Sequence, residues 1–250
     1  MRSIERRQLK EDEFITTLQE TLSRIDEHRQ QMLWAAAALV VIGLVVAGYS
    51  WRRQQTTAKS SALLADAMAV AEAPVAPATP PPAEGTANAS ATPTPPPPPA
   101  GSFPNERARL EAALKKYMVA ADAYPTSPAG IAARYSAAAA LTDLGRLPEA
   151  AQQYQQVIDK GGSSIHGRMA RLGLAEVQTE LGKYDPAIAT FKELAASAKD
   201  LPIDGILMQL GRTYVAAGRT VEAKQTFKRL TDEFPTSPYV GDARQQLDAL

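Results

Sequence analysis

The sequence has no cysteine, only two histidines and no net charge, because 27 lysines and arginines balance 27 aspartates and glutamates over 250 residues. Without cysteine there is no disulfide framework, no thiolate nucleophile and no cysteine-ligated zinc site. Without a basic surplus the chain lacks the long-range field that draws proteins to nucleic acid. We therefore expect no nucleic-acid partner, whereas either redox compartment stays open.

Residues that could carry out catalysis are scarce and scattered. His28 and His166 lie far apart in the sequence, no cluster of His, Asp and Glu has the spacing of a metal site, and no glycine-rich phosphate loop follows a strand pattern. We interpret Gly161-Gly162 as a turn and His166 as a solvated or capping residue. The sequence predicts no enzyme, no cofactor, no metal and no small-molecule substrate.

An uncharged apolar run extends from residue 30 to residue 51. As a helix, residues 34–51 would be about 26 Å long, close to the thickness of the hydrocarbon layer of a bilayer. Trp34 at one end and Tyr49 and Trp51 at the other have the positions of interfacial aromatic anchors. This pattern predicts a single transmembrane helix at residues 34–51. A cleaved signal peptide is disfavoured, because a long polar tail precedes the run and no small-residue cleavage motif follows it.

The tail at residues 1–33 carries one apolar stripe with helical spacing among charged neighbours, formed by Phe14, Ile15, Leu18, Leu22 and Ile25. We predict an amphipathic juxtamembrane helix. The stripe could lie in the membrane interface, pair with a partner or continue into the span.

Two contrasting segments follow the apolar run. Residues 52–73 are rich in alanine and predict a helix, either a stalk or the first helix of an opening repeat. Residues 74–104 hold 12 of the 19 prolines, and proline can donate to neither a helix nor a sheet. This segment has almost no apolar bulk to bury, so we predict an extended, partly polyproline linker.

Residues 105–250 contain an internal repeat. A small residue is followed four positions later by an aromatic one and three further on by an apolar one, beginning at Ala113, Ala150, Ala187 and Ala223. The intervals are therefore 37, 37 and 36 residues. A period of this length is typical of stacked helical units, in which one pair of helices cannot bury its own apolar face.

A second pattern precedes the later copies, most clearly in Leu210, Gly211, Tyr214 and Gly218. We predict that glycines 145, 182 and 218 end the first helix of each pair, since glycine adopts the left-handed conformation at low cost. The small residues Ala138, Ala175 and Gly211 would let the helix axes approach. The expected fold is an all-α solenoid of helical hairpins with a capping helix after Pro238. These residues resemble the tetratricopeptide repeat, which implies a protein-binding solenoid.

The repeat register predicts which residues face a partner. Tyr135, Leu172 and Met208 are equivalent positions, and Ala139, Glu176 and Arg212 form the next equivalent row. The first helices of such a solenoid line a surface suited to peptides or partner helices. We predict a partner-binding groove at these six residues. The alternative is that the apolar members pack against a neighbouring helix or the linker.

The order of the parts resembles the family of the ancillary subunit of the bacterial Sec translocon. It has a charged stripe ending in Phe14, a span at 34–51, the border Arg52-Arg53-Gln54-Gln55 and then the repeats. This resemblance implies partners among translocon subunits, periplasmic chaperones or secretory chains. A structural scaffold for cell-envelope or cell-division machinery stays open as an alternative.

The charges beside the span nearly balance, with Arg24 and Arg29 on one side against Arg52, Arg53 and Lys59 on the other. We favour a cytoplasmic N-terminus, because translocating a charged tail without a signal is harder than using the span as an anchor. The expected location is the bacterial inner membrane, crossed once, with the repeat domain in the periplasm.

Overall fold

The computed structural model describes residues 29–76, 101–197 and 201–250, without the side chains of residues 29–32, 35, 36 and 197. The predicted helix around Phe14 and most of the proline-rich segment lie outside these residues. The described ranges contain nine α-helices: α1 Arg29–Ala71, α2 Glu106–Ala123, α3 Pro128–Asp143, α4 Leu147–Gly161, α5 Ile165–Glu180, α6 Tyr184–Ser197, α7 Ile203–Ala216, α8 Thr220–Glu233 and α9 Val240–Ala249.

The described chain divides into two units, of which the first ends at Gln55 and contains the N-terminal part of α1. Its large apolar side chains between residues 33 and 51 are 57–77% exposed, including the three predicted anchors Trp34, Tyr49 and Trp51. Within the described residues, none of the helices has both the length and the apolar character needed to cross a membrane. The predicted span at residues 34–51 is therefore not confirmed.

The second unit, Thr56–Leu250, is the predicted solenoid of helical hairpins. Its first pair consists of the C-terminal part of α1 and helix α2. Ala67 of α1 is fully buried, and the Lys116 ammonium lies 2.7 Å from the Asp66 carboxylate. The Arg109 guanidinium donates to the carbonyl of Ala73 at 3.2 Å. These contacts tie the two helices together along their length.

The two ends of the proline-rich segment meet at this first pair. The amide of Ala76 donates to the carbonyl of Phe103 at 2.8 Å, and the amide of Phe103 donates to the carbonyl of Pro74 at 2.9 Å. Asn105 then caps α2 by accepting a hydrogen bond from the amide of Ala108 at 2.8 Å. In this structure the segment therefore leaves the first hairpin and returns to it at the same place.

The turns inside the next three hairpins share one geometry. Gly145, Gly182 and Gly218 have φ of +73°, +72° and +72°, which confirms the predicted left-handed helix ends. The residue after each glycine donates its amide to a carbonyl five positions back at 2.8 Å, as Arg219 does to Tyr214. This bond satisfies one of the carbonyls left free at the end of a helix.

The core is built from the repeated small and aromatic positions. Ala113, Ala150, Ala187 and Ala223 are buried, and so are the aromatic residues four positions after each of them. At Gly211 a Cβ atom would lie only 2.3 Å from Cε1 of Phe227. The Phe227 ring therefore occupies the space that a side chain on α7 would need, which lets α7 and α8 approach closely.

We predict that Gly211→Ala lowers the free energy of unfolding by about 1–3 kcal/mol, because the buried Phe227 ring must shift to admit the methyl group. Thermal unfolding monitored by circular dichroism measures this change. Gly241→Ala is the matched control, because a Cβ atom there meets nothing within 4 Å. Equal melting temperatures for the two variants would contradict the close contact.

Candidate partner-binding surface

The first helices of successive pairs are α3, α5 and α7, and polar side chains join α5 to α7. The hydroxyl groups of Thr179 on α5 and Thr213 on α7 lie 3.1 Å apart. The Gln209 amide on α7 donates to the Glu176 carboxylate on α5 at 3.5 Å. The predicted rows of groove residues are on these three helices.

The first predicted row is only partly accessible. Tyr135 and Leu172 are half-buried, and Met208 is 1% exposed, so the prediction that Met208 faces a partner is wrong. Met208 belongs to the same core cluster as Ala243 of the capping helix α9. The last hairpin is the one that α9 packs onto, so Met208 and its equivalents Tyr135 and Leu172 do not share one environment.

Tyr135 packs at the junction between α3, α4 and α5. Its ring makes edge contacts with Tyr154 at 5.8 Å and with His166 at 6.1 Å between ring centres. Burial raises the pKa of the Tyr135 hydroxyl, and the nearby Glu176 carboxylate raises it further. His166 does not cap α5, because the Ser164 hydroxyl accepts the capping hydrogen bond from the amide of Gly167 at 3.2 Å.

A cleft of about 340 Å³ lies between α5 and α7, and we call it the first-helix cleft. Glu176 and Arg212, two residues of the second predicted row, line this cleft. Glu176 is half-buried in it, and Arg212 is exposed with its guanidinium 3.3 Å from the Asp242 carboxylate of α9. Ala139, Tyr135 and Leu172 do not line this cleft. The structure therefore brings Glu176 and Arg212 together and leaves the other predicted residues outside.

The first-helix cleft also contains residues that the sequence reasoning missed, namely Thr179, Glu180, Phe191, Gln209, Thr213 and Ala216. Glu180 and Ala216 follow Glu176 and Arg212 by one helical turn in the same register. A third row, placed four residues after the second predicted row, would have included them. Gln209 and Thr213 could not be found in this way, because they reach the cleft from the side of α7 that contacts α5.

The carboxylates give the cleft its electrostatic character. Burial raises the pKa of Glu176, and the negative charge of Glu180 raises it further. The fold therefore opposes ionisation of Glu176, although Gln209 donates to its carboxylate. Among the described residues, no group of three or more His, Cys, Asp or Glu could hold a metal ion.

A model of the tetratricopeptide repeat-like domain family matches residues 26–250 of the chain. No curated protein matches the chain. One similar solved structure contains nearly identical TPR-like repeats assigned to kinesin light chain of Podosopora anserina, with 17% identity over 56% of this chain and 76% of that chain and a TM-score of 0.49.

Two further solved structures are similar to a lesser degree. A tetratricopeptide repeat protein from Parabacteroides merdae is 19% identical over 56% of this chain and 53% of that chain, with a TM-score of 0.47. The Rap conjugation gene regulator of the plasmid pLS20, in complex with the Phr* peptide, is 19% identical over 54% of this chain and 41% of that chain, with a TM-score of 0.43. At these identities the likeness concerns the fold alone.

The raised pKa of Glu176 leads to a prediction about stability and pH. A carboxyl group whose pKa is higher in the folded state favours folding when protonated, and this contribution is lost as the pH rises through the folded pKa. We expect Glu176→Gln to leave stability unchanged below the ordinary glutamate pKa and to stabilise the chain increasingly above it. Urea unfolding at a series of pH values measures this difference.

Two variants control this experiment. Glu180→Gln removes the neighbouring charge but keeps Glu176, so it should reproduce part of the gain. Glu233→Gln removes an exposed carboxylate at the end of α8 that pairs with Arg229, and it should not reproduce the gain. A Glu176→Gln variant that is no more stable than wild type at neutral pH would show that ionisation of Glu176 does not lower the free energy of unfolding.

Proposed function

The chain belongs to the tetratricopeptide repeat-like domain family, and from this premise we propose that it is a membrane-anchored module whose first-helix cleft binds a segment of another protein. A repeat fold of this kind is suited to protein–protein interaction, and it is typically a non-catalytic scaffold. Stacked hairpins present long surfaces because each pair contacts only its neighbours. The identity of the partner, the membrane anchor and the cellular location are what we propose beyond membership of this family.

The observation that carries the proposal is the polar lining of the first-helix cleft. Glu176, Gln209 and Arg212 offer both acceptors and donors within one cleft between α5 and α7. An extended polypeptide exposes unpaired amide and carbonyl groups, which need such partners when they leave water. A cleft of this kind therefore suits a peptide segment better than a purely apolar ligand.

The membrane anchor is supported by the apolar run at residues 34–51. Residues 39–42 are four consecutive large apolar residues, which together cover the full circumference of α1, and all of them are exposed. A helix that is apolar on all sides is typical of a membrane segment. Two residues of the run, Ala35 and Ala36, lie outside the described side chains.

We place the repeat domain in the periplasm and assign it an adaptor role at the Sec translocon. This part rests on the resemblance in the order of the parts, from the charged tail through the apolar run to the repeats. In this role the first-helix cleft would receive translocon subunits, chaperones or emerging secretory chains. It would hold them close to the membrane through the anchor on α1.

Photo-crosslinking in native membranes tests the binding surface. A photoreactive residue at Glu180 or Ala216, both of which line the cleft, should capture translocon subunits, chaperones or secretory chains, identified by mass spectrometry. The same residue at Val221, which is exposed on the second helix α8, should not capture them. Equal capture from all three positions, or capture of septal or outer-membrane proteins alone, would contradict the adaptor role.

Extraction at alkaline pH tests the anchor separately. We expect the full chain to stay with the membrane pellet, whereas the double variant Ile42→Arg, Val45→Arg moves to the supernatant. An arginine at the centre of a membrane helix costs about 2.5–3.5 kcal/mol. Val221→Arg adds an arginine to the repeat domain and should leave the chain in the pellet. Wild-type chain in the supernatant would contradict the anchor.

A further inference from the structure

A second cleft, of about 560 Å³, lies on the first hairpin between α1 and α2, away from the first-helix cleft. Leu63 of α1 and Ala108, Ala112 and Val119 of α2 give it an apolar floor. The face of α2 that lines it is opposite to the face buried in the core, and Val119 is 57% exposed. We call this site the first-hairpin groove.

The first-hairpin groove has an equivalent further along the solenoid, on the hairpin of α7 and α8. Leu63 and Asp66 correspond to Leu207 and Leu210, each 144 residues later. On the second helix the offset is 110 residues, the distance between the outer copies of the repeat. The corresponding positions that line both clefts are Ala112 with Glu222, Lys115 with Gln225, Lys116 with Thr226 and Val119 with Arg229.

The two clefts differ in their third wall. In the later cleft this wall is the preceding second helix α6, which contributes Lys192, Ala195 and Ala196. The preceding second helix also lies beside the first helix at the second pair, where Arg134 of α3 reaches Asp122 of α2 at 2.6 Å. At the first-hairpin groove, none of the described helices supplies this wall.

We propose that the first-hairpin groove binds an amphipathic helix of a partner protein, which takes the place that α6 takes at the later hairpin. The site is distinct from the first-helix cleft and does not depend on what that cleft binds. The helix would carry small side chains along its contact face, as Ala195 and Ala196 do on α6. Helix-in-groove binding of this kind depends on apolar anchors spaced three or four residues apart.

The charges at the rim specify the ligand further. Asp66 is paired with Lys116 at 2.7 Å, and Glu111 is paired with Arg107 at 3.2 Å. Lys115 lines the groove, is exposed and has no ion-pair partner among the residues that the structure describes. In the later cleft Lys192 of α6 lies near Glu222, whose equivalent in the first hairpin is Ala112, one helical turn before Lys115. The bound helix therefore carries an acidic residue where α6 carries a lysine.

A charge-swap experiment tests this proposal on the full chain in detergent micelles. The chain has no cysteine of its own, so Ala123→Cys, one helical turn beyond Val119 and outside the lining of the groove, provides a single site for an environment-sensitive fluorophore. The probes are two hydrocarbon-stapled peptides of residues 184–197, one with the natural sequence and one with Lys192→Glu. We expect saturable binding of the Lys192→Glu peptide, and binding of the natural peptide weakened at least about threefold by repulsion from Lys115.

Lys115→Glu should reverse this preference, so that the natural peptide binds more tightly than the Lys192→Glu peptide. Lys160→Glu, which changes an exposed lysine on α4, is the matched control and should leave both affinities unchanged. Absence of saturable binding, or a preference that Lys115→Glu does not reverse, would overturn the proposal. A fluorescence change that follows chain concentration without any peptide would overturn it too, because a second copy of the chain would then occupy the groove.

Discussion

Each helical pair in this chain has more apolar surface than its two helices can cover, so every pair depends on the next one for part of its burial. The contact that makes this stacking possible is an aromatic ring set against a position without a side chain, as the Tyr154 ring of one pair is against Gly173 of the next. Within the last hairpin, the Phe227 ring meets Gly211 in the same way. These contacts bring the helices close enough to exclude water, and the positions of all the surfaces follow from them.

The dependence of each pair on its neighbour determines where surface is left for partners. At the C-terminal end, α9 packs on the last hairpin, in which Met208 is buried, and places Asp242 beside Arg212. Between the first helices, polar side chains meet across the first-helix cleft. Burial there raises the pKa of Glu176, so the ionised form of this residue lowers the stability of the fold. A partner that supplies a positive charge or a hydrogen-bond donor would relieve this cost.

The parts of the fold that could be predicted from the sequence are those set by the repeated core positions. The spacing of Ala150, Ala187 and Ala223 identified the second helices, and the glycines at 145, 182 and 218 identified the ends of the first helices, because only a few residue types satisfy these positions. Exposure could not be predicted equally well. Repeat equivalence gave Met208 the same environment as Tyr135, although the end of the solenoid adds a capping helix.

The extent of the first-helix cleft was also beyond the sequence reasoning. Glu176 and Arg212 were found through their equivalent positions, whereas Gln209 and Thr213 reach the cleft only because α5 and α7 lie side by side at close range. That distance depends on packing between the helices and not on the pattern within either of them. The groove on the first hairpin is visible only once its lining is matched with that of the later hairpin.

The central proposal is that another protein occupies the first-helix cleft in the cell. Carbodiimide labelling of carboxylates, followed by mass spectrometry, tests it directly, because any partner that covers the cleft shields its carboxylates from the reagent. The account predicts that Glu180 reacts weakly in native membranes and more strongly after purification in detergent, while Glu233 on α8 reacts equally in both. Equal reactivity of Glu180 before and after purification would contradict the claim.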